Sequence, residues 1–246
     1  MGKIIYFDCN AGISGDMTLG ALIHLGADPA KIKSELMTMA LDPFDLIPHG
    51  DSVSGISGIS LEVALDRDDS HTHRTFGLIR GMIESSGIAH AAKERAIASF
   101  AAIAKAEAAV HDKPVDEVAF HEVGAMDSII DIVGMAVAMD MLGNPRVFCG
   151  PLHDGHGFIE CRHGVIPVPV PAVVEMLTAC GLPIVIESDV GTEMVTPTGL
   201  GILMGSGAEF RPNMGLRAER AGYGFGKRKT KEFNGLRAIM GEEFTE

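Results

Sequence analysis

The chain has 246 residues, 46% of them hydrophobic, and a formal net charge of -13 from 20 basic and 33 acidic side chains. The hydrophobic share excludes a disordered chain, and the acidic balance excludes the basic footprint of a nucleic-acid binder. The start MGKIIYFD has no apolar signal region, and no apolar run reaches the roughly 20 residues that span a bilayer, so a cytoplasmic protein off the membrane is expected.

Ile4–Phe7 is a short apolar run ending in Asp8 and predicts a buried first strand. AGISGD and the apolar stretch Met17–Leu25 follow, closed by Gly26, giving strand, Gly-rich turn and helix. Lys31–Met39 is expected to be a second helix. Leu61, Val63 and Leu65 alternate with Glu62 and Ala64, the period of a strand. Residues 66–74 (DRDDSHTHR) form a polar loop. Phe76, Ile79 and Ile83 predict a helix stopping near Gly87, and Ile97, Phe100, Ala104 and Ala108 an Ala-rich one ended by His111–Pro114. A further helix is expected over Ile129–Leu142, then a strand at Arg146–Cys149 and a long Gly/His loop from Pro151 to Gly164. Pro171 opens a helix to Cys180, Pro183–Glu187 is a strand, and TPTG at 196–199 is a helix entry with Thr196 as cap. The last strands are expected near Leu216–Ala221 and Leu236–Met240. Interleaved strands and helices predict an α/β fold, with mixed α+β as the alternative: a layered sheet with packed helices. The length suits one domain over 1–246, or two closely packed lobes.

Five segments carry residues with chemistry. Asp8 ends a strand beside Gly12, Ser14, Gly15 and Asp16, where a turn gathers backbone N–H groups that suit an anion; the simpler reading is a tight turn capped by Asp16. His71 and His73 can converge on a metal if their loop is extended, or can decorate a solvated loop. His121 and Glu122, with Asp127 and Asp131, suit an N/O metal site or a general base; Asp127 or Ser128 capping the helix, with Ser128 and Asp131 as a capping box, accounts for part of this. His153, Asp154, His156, Cys161 and His163 fall close together in the long loop. Thr196 and Thr198 at a helix start suit a phosphate or carboxylate. Late in the chain, GYGFGKR around Tyr223 offers a flexible aromatic and basic segment over a nucleotide, or a turn between strands. Cys9, Cys149, Cys161 and Cys180 form no CxxC pair, so free thiols are expected. His24, His49, His90 and His111 read as lone residues without a site.

YFDCNAGISGDM, HTHR, HEVGAMDSIIDIVG, CRHGVIPVPVPA, EMVTPTG and GYGFG occur in one order from Ile4 to about Gly241. That order resembles the LarC family of nickel-insertion proteins. The resemblance implies a phosphorylated small-molecule substrate, pyridinium-3,5-bisthiocarboxylic acid mononucleotide. Ni(II) goes between its two sulfurs and forms a nickel–carbon bond, a chelatase or cyclometallase reaction of the lyase class that uses CTP, with Mg or Mn. Under that implication Asp8, His71, His73, His121 and Glu122 are candidate metal ligands. Glu122, Asp127 and His163 are candidate bases. Gly12, Ser14, Gly15, Asp16, Thr196, Thr198 and Tyr223 are candidates for holding the organic cofactor precursor. Family members carry a further C-terminal domain, so a partner chain is implied, and CTP use is not implied for this chain alone; a homo-oligomer is compatible. PLHDGHG at 151–157 departs from the family's PLPLGGG-like segment. A metal or nucleotide carrier module, and a divergent metal-dependent hydrolase or lyase, are the alternative functions.

Overall fold

The computed structural model describes residues 2–65, 74–120, 125–161, 164–227 and 233–244. In chain order, β1 (Lys3–Asp8) leads to α1 (Gly15–His24) and α2 (Pro29–Leu36), then to β2 (Phe44–Val53), β3 (Ile56–Leu65) and the short β4 (Arg74–Thr75). Helices α3 (Phe76–Ser85) and α4 (His90–His111) precede β5 (Ala119–Phe120) and α5 (Met126–Met141). Then come β6 (Arg146–Cys149), β7 (Leu152–Asp154), β8 (Gly157–Cys161), β9 (Gly164–Val168), α6 (Pro171–Cys180) and β10 (Ile184–Ile186). The chain closes with α7 (Pro197–Gly205), β11 (Glu209–Phe210), β12 (Leu216–Phe225) and β13 (Gly235–Glu243).

Seven strands make one mixed sheet in the order β11-β6-β1-β13-β12-β3-β2. The first strand is central: β1 runs parallel to β6 and antiparallel to β13. Ile5 and Phe7 point into the main core, while Tyr6 and Asp8 alternate to the opposite face beside Ile239 and Arg237. The fold is therefore the layered α/β type that interleaved elements predict.

Helix α1 lies directly on the sheet. A Cβ at Gly224 would sit 1.9 Å from the Met17 carbonyl oxygen, and one at Gly222 would sit 2.2 Å from that of Ala21. Only the missing side chains let helix and strand come this close. GYGFG is thus the end of strand β12, which corrects the expectation of a flexible segment. Helix α5 packs on α1 and α4, and α4 in turn packs on α6 and α7. Ile129, Ile130, Ile132 and Val133 of α5 are fully buried, each worth roughly 1.5–3 kcal/mol.

Helix starts follow their local signals. Asp28 caps α2 through Ala30 N–H at 2.9 Å with Pro29 in the first turn, so the helix opens two residues before the expected Lys31. Thr196 caps α7 by accepting Gly199 N–H at 3.0 Å. The β2–β3 hairpin, which strand periodicity reveals only in its second half, turns at Ser54 and Gly55, both with positive φ. The stretch 151–164, expected to be a loop, holds β7 and the β8–β9 hairpin instead. Its strands are too short and too rich in Gly and His for a two-residue period to emerge.

Candidate functional site

A cavity of about 460 Å³ opens where the first turns of α1, α5, α6 and α7 converge. Ser14–Met17 line it from α1, Asp127, Ser128 and Asp131 from α5, Val170–Ala172 from the start of α6, and Thr196–Thr198 from α7. The end of α4 adds Glu107, Val110 and His111, the inner face of the β8–β9 hairpin adds Ile159, Cys161 and Ile166, and Lys227 and Asn234 close a further side.

The two Gly-rich and Thr-rich turns are stitched together. Ile13 N–H donates to Met194 O at 2.9 Å, and Thr196 N–H donates to Ile13 O at 3.0 Å. Asp154 secures the second of these segments from below. It is fully buried, and its Oδ1 accepts the N–H groups of Gly155 (2.8 Å), Met194 (2.6 Å) and Val195 (3.1 Å). It acts as a positioning residue for the start of α7.

The helix starts around the cavity differ in the charge of their first turns. Each helix start carries roughly half a positive charge from its free N–H groups. The first turns of α6 and α7 contain no acid, and Val170 gives α6 no side-chain cap. Asp16 and Asp127 stand in the first turns of α1 and α5. Asp16 accepts Met17 N–H at 2.9 Å and the Ser14 hydroxyl, and Asp127 accepts Ser128 N–H at 2.8 Å. Those carboxylates offset the dipoles of α1 and α5, whereas the first turns of α6 and α7 carry no acid of their own.

Asp131 is the exceptional group. It follows Asp127 by one turn, on the same face of α5, and is 9% exposed. Its Oδ1 has no hydrogen-bond partner among the described residues, an omission that costs about 1–3 kcal/mol. Burial, and then the Asp16 carboxylate, push its pKa well above the usual carboxylate range; Lys227 opposes this and Asp127 adds to it. Gly15 makes room for it: a Cβ there would lie 2.7 Å from both Cβ and Oδ2 of Asp131. The capping-box expectation for Ser128 and Asp131 is corrected, because Ala125 is the N-cap of α5 and makes no side-chain cap bond.

Of the residues singled out from sequence, Ser14, Gly15, Asp16, Asp127, Thr196 and Thr198 line this cavity. Gly12 lies just behind it, with a φ of +79° and no space for a side chain against Met194. Asp8 and Tyr223 are not among its lining residues. Asp8 is ion-paired with Arg237, which also bonds Tyr223, and the strand alternation puts all three on the sheet face away from α1. His153 pairs with Glu187 at 2.5 Å and His156 lies against the Glu187 and Val190 carbonyls, so neither reaches the cavity. His71, His73, His121, Glu122 and His163 lie outside the described residues. Among the described residues, no three His, Cys, Asp or Glu side chains gather closely enough to hold a metal ion. No helix among them is long and apolar enough to cross a membrane. The four cysteines are free, as expected; burial raises the Cys9 thiol well above its usual range and pushes Cys149 up to about 12.

Sequence reasoning singled out Asp131 and the basic end of GYGFGKR, which holds Lys227, but missed Glu193, Glu107 and His111 as lining residues. The one-turn spacing of Asp127 and Asp131, and of Glu107 and His111 (3.2 Å apart), was the available signal. Nothing local marks Glu193.

Fold and site together define an α/β protein whose helices stack on a mixed sheet around a cavity lined by helix starts and ionic side chains. A family model described as "Nickel insertion protein" matches residues 5–246, and the chain belongs to that family. It is 44% identical, over 97% of its length and 60% of the relative's, to a protein of Acetivibrio thermocellus named pyridinium-3,5-bisthiocarboxylic acid mononucleotide nickel insertion protein. Proteins with that name from Lactiplantibacillus plantarum and Desulfitobacterium hafniense are each 40% identical over 98% of the chain, covering 62% and 58% of their own lengths. The chain thus spans about three fifths of the length of these relatives. No solved structure matches it.

Proposed function

We propose that this chain binds a pyridinium mononucleotide carrying two thiocarboxylate groups and takes part, in the cytoplasm, in inserting nickel into it. The observation that carries the reading is a cavity ringed by four helix starts in a member of the nickel insertion family. Its volume falls within the roughly 300–1,000 Å³ of small-molecule sites. The phosphate belongs at the acid-free starts of α6 and α7, where backbone N–H groups point outward. The ring belongs beside Asp127, with its positively charged nitrogen, rather than its two thiocarboxylates, nearest Asp16 and Asp131.

Nickel is the second substrate. His71, His73, His121 and Glu122 are the proposed carriers, since imidazole and carboxylate bind nickel yet yield it to softer sulfur. Arg74 and Phe120, the described residues that flank these two segments, are cross-strand partners, which supports a shared ligand set. Asp127 is the proposed base among the described residues, because it lines the cavity beside the proposed ring position. His163 and Glu122 remain proposed bases on chemistry alone. CTP, with Mg or Mn, and a partner chain bearing the relatives' additional length belong to the same proposal.

The test combines the purified chain, Ni(II), the bisthiocarboxylate mononucleotide and CTP, with and without that partner chain, and reads nickel in the small molecule by mass spectrometry. Nickel-bearing product is expected, and replacing His71, His73 and His121 by Ala abolishes it. Absence of nickel from the product under every combination overturns the reading.

A further inference from the structure

His153 and His156 lie outside the cavity and have no part in the reading above. Each ring is held by one of its nitrogens. His153 stands on β7, and its Nδ1 lies 2.5 Å from Oε1 of Glu187, the residue after β10. His156 Nδ1 lies 3.1 Å from the Glu187 carbonyl oxygen and 3.1 Å from that of Val190. An ionised carboxylate and a carbonyl only accept, so both rings donate from Nδ1. In a neutral imidazole that leaves the lone pair on Nε2, free to bind a metal. Among the described residues neither Nε2 makes a hydrogen bond. A ring N–H given to a carboxylate or a backbone carbonyl is the support that metal-binding histidines use, because it fixes tautomer and orientation. Here Glu187 supplies both kinds, which puts the two rings on one patch of surface. His156 is exposed and His153 partly buried, so solvent reaches that patch.

The frame beneath the rings is rigid. Glu187 N–H donates to Asp154 O at 2.8 Å, and His156 N–H donates to Val190 O at 2.9 Å. Gly155 is packed so closely that a Cβ there would lie 2.0 Å from Thr192 O. A patch fixed in this way loses little freedom when a ligand binds. A staple between two loops accounts for Nδ1 of each ring and gives no task to either Nε2.

We propose that His153 and His156 form a two-imidazole site for a divalent transition metal such as Ni(II), separate from the cavity and independent of what fills it. Imidazole suits a borderline metal of this kind. Three close His, Cys, Asp or Glu donors do not gather among the described residues, so water completes the coordination. Two protein ligands and several waters make an exchangeable site. It takes metal from solvent and yields it to softer sulfur.

The experiment is equilibrium dialysis of the full, untagged chain against Ni(II) alone, comparing wild type with a double variant, His153→Ala with His156→Ala. The wild type is expected to hold about one more nickel per chain than the double variant. Nickel held by His71, His73 or His121 is common to both proteins and cancels in that difference. Glu187→Gln, which keeps both rings and removes the carboxylate charge, is expected to weaken the extra nickel about tenfold. Ni(II) is paramagnetic, so NMR of the wild type gives a reading that needs no variant: the amide signals of Gly155, His156 and Val190 are expected to broaden as nickel is added. Equal nickel content in the two proteins overturns the proposal. So does a nickel titration of the wild type that leaves those three signals sharp, a result that stands even where the double variant misfolds.

Discussion

On the outer surface of the sheet, charges meet charges: Lys3 reaches both Glu219 and Glu242, and Arg146 bridges Glu209 and Glu243 at 3.1 and 3.3 Å. On the cavity wall, Asp131 is more deeply buried than any of these and has an oxygen with no partner. Water screens the outer pairs, so making or losing one changes little. Asp131 is shielded from solvent, so the hydrogen bond its oxygen lacks among the described residues lowers stability. The difference separates charge used for solubility from charge retained for a ligand.

Substitutions can break that comparison. The largest effect is expected at the support beneath the cavity. Asp154→Ala leaves the N–H groups of Gly155, Met194 and Val195 without their acceptor, a loss of about 2–5 kcal/mol, read by urea unfolding together with loss of mononucleotide binding. Asp131→Asn goes the other way. An acid whose folded pKa is raised contributes its full share of stability only at low pH and loses it as pH rises toward the folded value. The Asn variant has no such loss, so its advantage over wild type grows with pH, by at most about 1.4 kcal/mol per pH unit within that window. Thermal melts from pH 4 upward measure it, and parallel curves for the two proteins would contradict the raised pKa. The smallest effect belongs to the surface: Lys3→Met, which removes two exposed ion pairs, is expected to leave the melting temperature unchanged at moderate salt.

Local signals explain which parts of this architecture could be read in advance. The Pro171 start of α6 and the Thr196 cap of α7 need only a turn of chain to act, and both stand where the spacing predicts. The apolar run of β1 ends at Asp8 as expected, since burial of a central strand is written into its own residues. By contrast, β7 and β8 lack a readable period, and Gly222 and Gly224 look like a flexible tract until α1 is laid across them.

The site divides in the same way. Ser14, Gly15, Asp16, Thr196 and Thr198 are legible because helix starts advertise themselves by residue type, and the ordered set of motifs identifies the family. Asp8 and Tyr223 share those motifs but turn to the far side of the sheet, because strand alternation assigns faces only once register is set. Asp131 is marked in sequence only as one acid among several in HEVGAMDSIIDIVG. Its burial, its neighbour Asp16 and its open oxygen arise only when α1 and α5 pack together, since burial and field are sums over groups distant in the chain. Sequence by itself determined the helix starts, the central strand and the family; tertiary packing alone decided which carboxyl group would be left waiting in the cavity.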